Sequence, residues 1–190
     1  MSNNSFYTEA ELKQIGFKSF GKNVLISKKV SIYKPEVIFL GNNIRIDDFC
    51  ILSGGKGIEF GDFIHVGCYS ALFGGSGITI EDFSNISGRV SIYSESDDFS
   101  GASMTNPLIP LVYKPLYCRG EVILKRHALV GTNSTILPGV TLGEGAAVGA
   151  HSLVKDNCDP WTIYFGNPVR KRERSRQVLE LEQDFLRSIT

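Results

Sequence analysis

Three histidines, His65, His127 and His151, and two adjacent aspartates, Asp97 and Asp98, are the residues of this chain best suited to moving protons. Imidazole titrates ordinarily near neutral pH, so a histidine held by a carboxylate can take a proton from an attacking hydroxyl or amine. Histidine can also bind zinc, which requires three donors converging on one ion. The histidines here are widely separated and no two form a close pair, so no metal site is expected. Cys50, Cys68, Cys118 and Cys158 include no C-x-x-C pair. That argues against a zinc knuckle or a thioredoxin-like motif and for reduced thiols, at least two of them packed inside.

Composition limits the scaffold that must position these groups. With 190 residues, 42% hydrophobic and 21% charged, the chain can bury a sizeable core in one domain. Twenty basic residues balance twenty acidic ones, which removes the main electrostatic argument for nucleic acid as a partner. No apolar run approaches the roughly 20 residues of a membrane span. The polar segment Met1–Thr8 carries no signal-peptide core, so the chain reads as cytoplasmic.

The dominant signal is a repeat. Phe20-Gly21, Leu40-Gly41, Phe60-Gly61 and Ile80-Glu81 recur every 20 residues and open hexads. Second hexads open at Ile26, Ile46, Val66 and Ile86, and third hexads at Ile32, Leu52, Leu72 and Ile92. Two extra residues after the first three of these third hexads turn 18 into 20. After a break the spacing becomes 18, with hexads opening at Leu124, Val130, Ile136, Leu142, Val148 and Val154. Three hexads make one triangular coil, and coils stacked about 4.8 Å apart pair their backbones and superimpose like side chains. The first-position aliphatics point inward, as do the fifth-position residues Ile44, Cys50, Ile64, Ser84, Ala128, Ser134, Val140, Ala146 and Ser152. One coil cannot bury its own face, whereas a stack of six can. The predicted fold is all-β: a left-handed parallel β-helix of hexapeptide repeats with an extended loop and short N- and C-terminal helices.

Thr8-Glu9-Ala10-Glu11 is a capping box and predicts a helix to about Ile15 that plugs the first coil, otherwise an open edge. A second helix is predicted from about Glu173 to Ile189, with Val178, Leu181 and Phe185 on one face packed on the β-helix or on a neighbouring copy. The expected organisation is residues 1–172 for the β-helix, its N-terminal helix and a loop over 98–121, and 173–190 for the C-terminal helix. The stretch from Asp98 to Pro107 has no hexad register. A long insertion in a regular scaffold is expected to shape a substrate site, or to serve as an arm between subunits.

The most specific stretch is Val130-Gly131-Thr132-Asn133-Ser134-Thr135-Ile136-Leu137-Pro138-Gly139, continued by Val140-Thr141-Leu142-Gly143-Glu144-Gly145-Ala146-Ala147-Val148-Gly149-Ala150. With Tyr164-Phe165-Gly166-Asn167-Pro168-Val169-Arg170, similar to a closing G-x-P-x-R, it resembles the hexapeptide-repeat acyltransferases. The nearest likeness is to the galactoside, maltose and nodulation O-acetyltransferases and to acetyltransferases of polysaccharide and O-antigen biosynthesis. The resemblance covers about Phe20 to Arg172. It implies a homotrimer with active sites between subunits and acetyl-CoA along the C-terminal coils. Gly131, Thr132, Gly149 and Ala150 would then line the pantetheine groove, where small residues permit close approach. Lys155 and Arg170 would meet the phosphates or the adenine end.

The family places a catalytic histidine in the loop after the third hexad of the middle coil, and here that position is Asp97. The expectation drawn from the resemblance is that His65 serves as base, oriented across a subunit interface by Asp97 or Asp98, with Asp97 itself as the second choice. Asn85, one coil beyond His65, would hold the acceptor, and Tyr69 and Tyr93 would stack on a sugar face. The expected activity is acetyl-CoA-dependent O-acetylation of a sugar or polysaccharide precursor. The alternatives are N-acetylation of an amino-sugar nucleotide, which tolerates a weaker base, and a non-catalytic scaffold.

Overall fold

The computed structural model describes residues 5–166 and 169–189. Short strands of two to four residues stack into three sheets of parallel coil strands, one for each face of a triangular coil. The register repeats the sequence spacing: Ile44 lies opposite Ile64 and Leu52 opposite Leu72, whereas Leu124 lies opposite Leu142 and Ile136 opposite Val154. Ile80 pairs with Leu124, so the stack closes across the inserted loop without losing a rung. The fold is the left-handed parallel β-helix that the hexads predict. It has six full coils and the start of a seventh, formed by Cys158 bridged to Leu142 and by the strand Thr162–Phe165. That strand turns back as Arg170–Glu173, an antiparallel partner that closes the second sheet.

Columns of aliphatic side chains fill the interior. Ile26, Ile46, Val66, Ile86, Val130 and Val148 stack along the second face and are all buried, and β-branched chains suit such pleated walls. The fifth-position residues are buried too. The hydroxyls of Ser84, Ser134 and Ser152 donate to backbone carbonyls of Lys125 and Gly149, which satisfies them inside the core.

Left-handed backbone occurs at all three corners, at Lys34, Gly55, Gly77 and Gly139 on the third and in regular columns on the other two. Asn23, Asn43, Phe63, Phe83, His127, Gly145 and Trp161, with φ of 54–64°, join the first face to the second. Phe49, Tyr69, Arg89, Asn133 and His151, with φ of 57–61°, join the second to the third. This conformation costs a non-glycine residue about 1–2 kcal/mol. Stacking between coils offsets the cost, with ring centroids 4.9 Å apart for Phe63 and Phe83 and 5.0 Å for Phe49 and Tyr69. His127 and His151 are rungs of these corner ladders.

Helix α1, Glu9–Ile15, opens with the predicted capping box, Thr8 and Glu11 exchanging hydrogen bonds, and sets buried Leu12 over the first coil. Helix α2, Val178–Ile189, starts later than the sequence suggests, because Glu173 ends the closing strand. Arg174 holds the chain to the stack before the helix begins. Its backbone N–H donates to Trp161 and its guanidinium donates to the carbonyls of His127 and Gly145. Of the predicted apolar face, Leu181 and Phe185 are exposed, although the Phe185 ring meets Phe63 edge-on; the Val178 side chain lies outside the described residues. The inserted segment is an arm with its own structure. Glu95–Ser96 pairs antiparallel with Cys118–Arg119 at its base, and Leu111–Tyr113 forms a 3-10 turn. Among the described residues no helix is long and apolar enough to cross a membrane.

Candidate active site

His65 lies in the strand Ile64–Val66, whose flanking residues point inward and leave the imidazole on the outer side of the second face. The 20-residue register sets Arg45 one coil before it and Asn85 one coil after it. Asp47, two residues past Arg45, reaches back to the same ring. His65 Nε2 is 2.8 Å from Asp47 Oδ2, and Nδ1 is 3.1 Å from Asn85 Oδ1. Arg45 Nε donates to the other Asp47 oxygen at 2.8 Å. Burial acts to raise the Asp47 carboxyl, but the bonds from His65 and Arg45 outweigh it and hold the group below the usual carboxylate range. Within the chain, the carboxylate that meets His65 is Asp47, and Asp97 and Asp98 make their intrachain contacts elsewhere. Both ring nitrogens face oxygen acceptors, so neither is open to an incoming nucleophile.

Asp97 leaves the third face just after the strand Ser91–Tyr93, and within the chain its partners are all in the arm. Its Oδ1 is sealed from solvent and faces Lys114 Nζ at 2.5 Å, and its Oδ2 accepts the backbone N–H of Asn106 at 2.9 Å. The Lys114 ammonium, with the Asn106 N–H behind it, holds the Asp97 carboxyl below its ordinary range. Asp98 is committed to the turn that follows. It accepts from the Ser100 N–H at 3.0 Å, from the Ser100 hydroxyl at 2.8 Å and from the Ala102 N–H at 3.1 Å, which lowers its carboxyl as well. At the root of the arm Glu95 accepts from the hydroxyls of Ser76 and Tyr117 and pairs with Arg119 at 3.6 Å.

The other predicted residues divide between ladder and surface. Tyr69 is flanked by the Phe49 ring and by the Arg89 guanidinium, 5.5 Å from its centroid, so its faces are already used. Tyr93 stacks on Phe73 at 4.9 Å and stays partly exposed. Gly131 and Gly149 continue one corner column with Asp47, Gly67 and Ser87. A Cβ on Gly131 would lie 2.6 Å from the Ala150 nitrogen, so coil stacking itself demands glycine there. Thr132 and Ala150 are exposed beside them, and the Thr132 hydroxyl donates to the Gly88 carbonyl at 2.6 Å. These four residues form a strip of small side chains along the corner. Lys155 lines a cleft of ≈ 660 Å³ at the open end of the stack with Asp156, Asp159 and Lys171. Arg170 is exposed on the closing strand opposite Phe165, whereas Asn167 and Pro168 of the closing motif lie outside the described residues.

Asp47 and Lys114 meet the candidate residues without a local signal in the sequence. Register arithmetic finds Asp47, because its corner column is read by adding 20. No periodic signal marks Lys114.

No family model matches the sequence. The chain is 46% identical over 183 residues, 95% of each chain, to an Escherichia coli dTDP-4-amino-4,6-dideoxy-D-glucose acyltransferase. It is 25% identical over 84% of its length, and 72% of the relative's, to a putative lipopolysaccharide biosynthesis O-acetyl transferase, WbbJ, of Escherichia coli K12. Among solved structures it superposes with a TM-score of 0.94, at 55% identity and 98% coverage of both chains, on AntD, an N-acyltransferase from Bacillus cereus in complex with dTDP and 3-hydroxybutyryl-CoA.

Proposed function

Because the chain belongs to the hexapeptide-repeat sugar acyltransferases, enzymes with acyl-CoA as donor, we propose that it acylates the amino group of a dTDP-linked 4-amino-4,6-dideoxy sugar. The observation that carries this reading is near-full-length likeness to two acyltransferases of that chemistry, one of them also solved, as a serine variant, with dTDP-4-amino-4,6-dideoxyglucose and coenzyme A. The O-acetylation favoured by the sequence gives way to its alternative, N-acylation.

The geometry supports an amine. An amine attacks a thioester carbonyl without prior help once it is neutral, and the nitrogen becomes strongly acidic as the C–N bond forms. A carboxylate is base enough to receive that proton, whereas a hydroxyl needs a free imidazole. Asp97 is such a carboxylate, and His65 has no open nitrogen. The C–S bond breaks, and the departing thiolate takes the proton that the nitrogen sheds. AntD has been solved as serine and aspartate variants, the aspartate ten positions after the serine. In this sequence Ser87 is the one serine with an aspartate ten positions on, and that residue is Asp97.

In this reading Asp97 is the base, Asp98 shapes the turn behind it, and His65 with Asp47 fixes Asn85 towards the acceptor. Tyr69 and Tyr93 border the sugar. Gly131, Thr132, Gly149 and Ala150 carry the pantetheine arm, and Lys155 and Arg170 lie near the phosphates. The site is completed in a homotrimer. Phe99, Leu108 and Val112 of the arm are 95%, 90% and 79% exposed, which suits burial against a neighbouring copy. Mass spectrometry of the reaction of dTDP-4-amino-4,6-dideoxyglucose with acyl-CoA, beside its 4-hydroxy analogue, tests the reading. The amino sugar is expected to gain one acyl group and the analogue none; acylation of the analogue alone returns the enzyme to O-acylation.

A further inference from the structure

The arm reverses the usual rule of burial. Leu111, Val112, Tyr113 and Leu116 are exposed, and between them Lys114 is buried, its side chain only 4% accessible. A buried ammonium is costly unless paired, and an apolar side chain would serve stability at least as well. Its ammonium is ion-paired with Asp97 Oδ1 at 2.5 Å, donates to the Asn106 carbonyl at 3.2 Å and lies over the face of Tyr117, 4.2 Å from the ring centroid. The other charged groups at the arm's root answer one another, Arg119 pairing with Glu95 and the Tyr117 hydroxyl donating to Glu95. Among the described residues Lys114 is thus the cation that serves Asp97. It draws Oδ1 inward, and with the side chain 29% accessible and Oδ1 sealed, the part of the carboxylate left to meet a ligand is the second lone pair of Oδ2, whose first takes the Asn106 N–H at 2.9 Å.

We propose that Lys114 is a positioning residue that keeps Asp97 charged and turned outward, and so sets the site for an acceptor that arrives as an ammonium. This rests on Asp97 receiving the acceptor's proton, as argued above. A charged carboxylate attracts the ammonium form of the amino sugar, which gives one proton to solvent to free its lone pair; as the neutral nitrogen attacks and the C–S bond breaks, the carboxylate takes the second proton and passes it to the departing thiolate. Without the ammonium at Lys114, the same carboxylate takes up a proton from solution more readily and loses both tasks.

The test is the pH profile of kcat/KM for dTDP-4-amino-4,6-dideoxyglucose in Lys114→Met, Lys114→Arg and Asp97→Asn, each checked for folding by circular dichroism. Lys114→Met is expected to move the acidic limb up by about one pH unit, a loss that approaches tenfold only below about pH 4 because the wild-type carboxyl sits under its ordinary range, with the KM for acyl-CoA unchanged. Lys114→Arg keeps the charge and should leave the limb near its original place. Asp97→Asn removes the limb, and adding Lys114→Met to it should cost nothing further. Should the methionine variant fail to fold, Lys114→Gln removes the charge while keeping polar contacts, and the same shift is expected. A folded, charge-free variant with an unmoved limb overturns the role of Lys114. Full activity in Asp97→Asn overturns the role of Asp97 itself, and this inference with it.

Discussion

The coil stack and the arm that leaves it at Asp97 bury opposite kinds of side chain. The stack hides Ile, Leu and Val in columns, leaves Arg45 exposed and keeps His65 and Asn85 half-buried on its outer side. The arm hides Lys114 and shows water Leu108, Leu111 and Val112. The stack is therefore a self-sufficient fold, whose stability comes from apolar area and paired backbone. The arm is held to its root by charge and has an apolar exterior that calls for a neighbour. Each region carries a polar cluster, and the clusters differ in the same sense. His65 meets coil neighbours at both ring nitrogens, whereas Asp97 has each oxygen on the arm and a lone pair of Oδ2 to spare. A rigid scaffold residue with every bond made is suited to positioning, and a carboxylate whose Oδ2 accepts one N–H and keeps a second lone pair is suited to proton transfer.

The largest expected effect tests that difference directly. Asp97→Asn should lower turnover about 10²–10⁴-fold, the usual contribution of a positioned acid or base. His65→Gln, which loses an imidazole used only for support, should cost about tenfold or less by the same measure. Steady-state rates for both variants decide it, and a reversed order would make the stack the catalytic region. The next effect concerns stability. Leu72→Ala empties a fully buried position of the third face and should cost about 2–5 kcal/mol in denaturant unfolding. Leu108→Ala removes an equal volume from the arm and should leave the coil content unchanged while weakening association in sedimentation. Equal destabilisation of the isolated chain by both would mean that the arm packs on its own stack.

The same contrast explains what the sequence reveals. The spacing of Leu40, Phe60 and Ile80, then of Leu124 and Leu142, encodes each coil because identical backbone pairing repeats and a misplaced aliphatic would face water. The capping box at Thr8 is legible because it is local. Asp47 escapes notice because its role depends on a ring one coil away, although the register predicts that neighbourhood. Lys114 escapes because its partner is 17 residues distant through a segment without period, and a lysine among exposed leucines looks like surface. Helix α2 starts later than its apolar spacing suggests because Arg170–Glu173, a charged run, extends the second sheet through backbone pairing that composition does not signal.

Helix α2 is the other appended segment, and it too is anchored by charge. Glu182, 12% accessible, accepts from Arg126 and lies 2.6 Å from His127 Nε2. Burial acts to raise its carboxyl, yet the bonds from Arg126 and His127 prevail and hold it below the ordinary value of 4.5. A carboxyl depressed in the folded state contributes fully above its unfolded value and loses that contribution as pH falls through the folded one. Docking of α2 should therefore be constant at neutral pH and weaken only below about 4.5, while the apolar coil columns stay protected. Glu182→Gln should weaken docking by about 1–3 kcal/mol at neutral pH and flatten this part of the acid response. Hydrogen exchange of α2 against the coil strands, followed across the acid range, separates the two regions. Simultaneous loss of protection in both would show that α2 and the stack form one cooperative unit and that charge anchors nothing separable from the core.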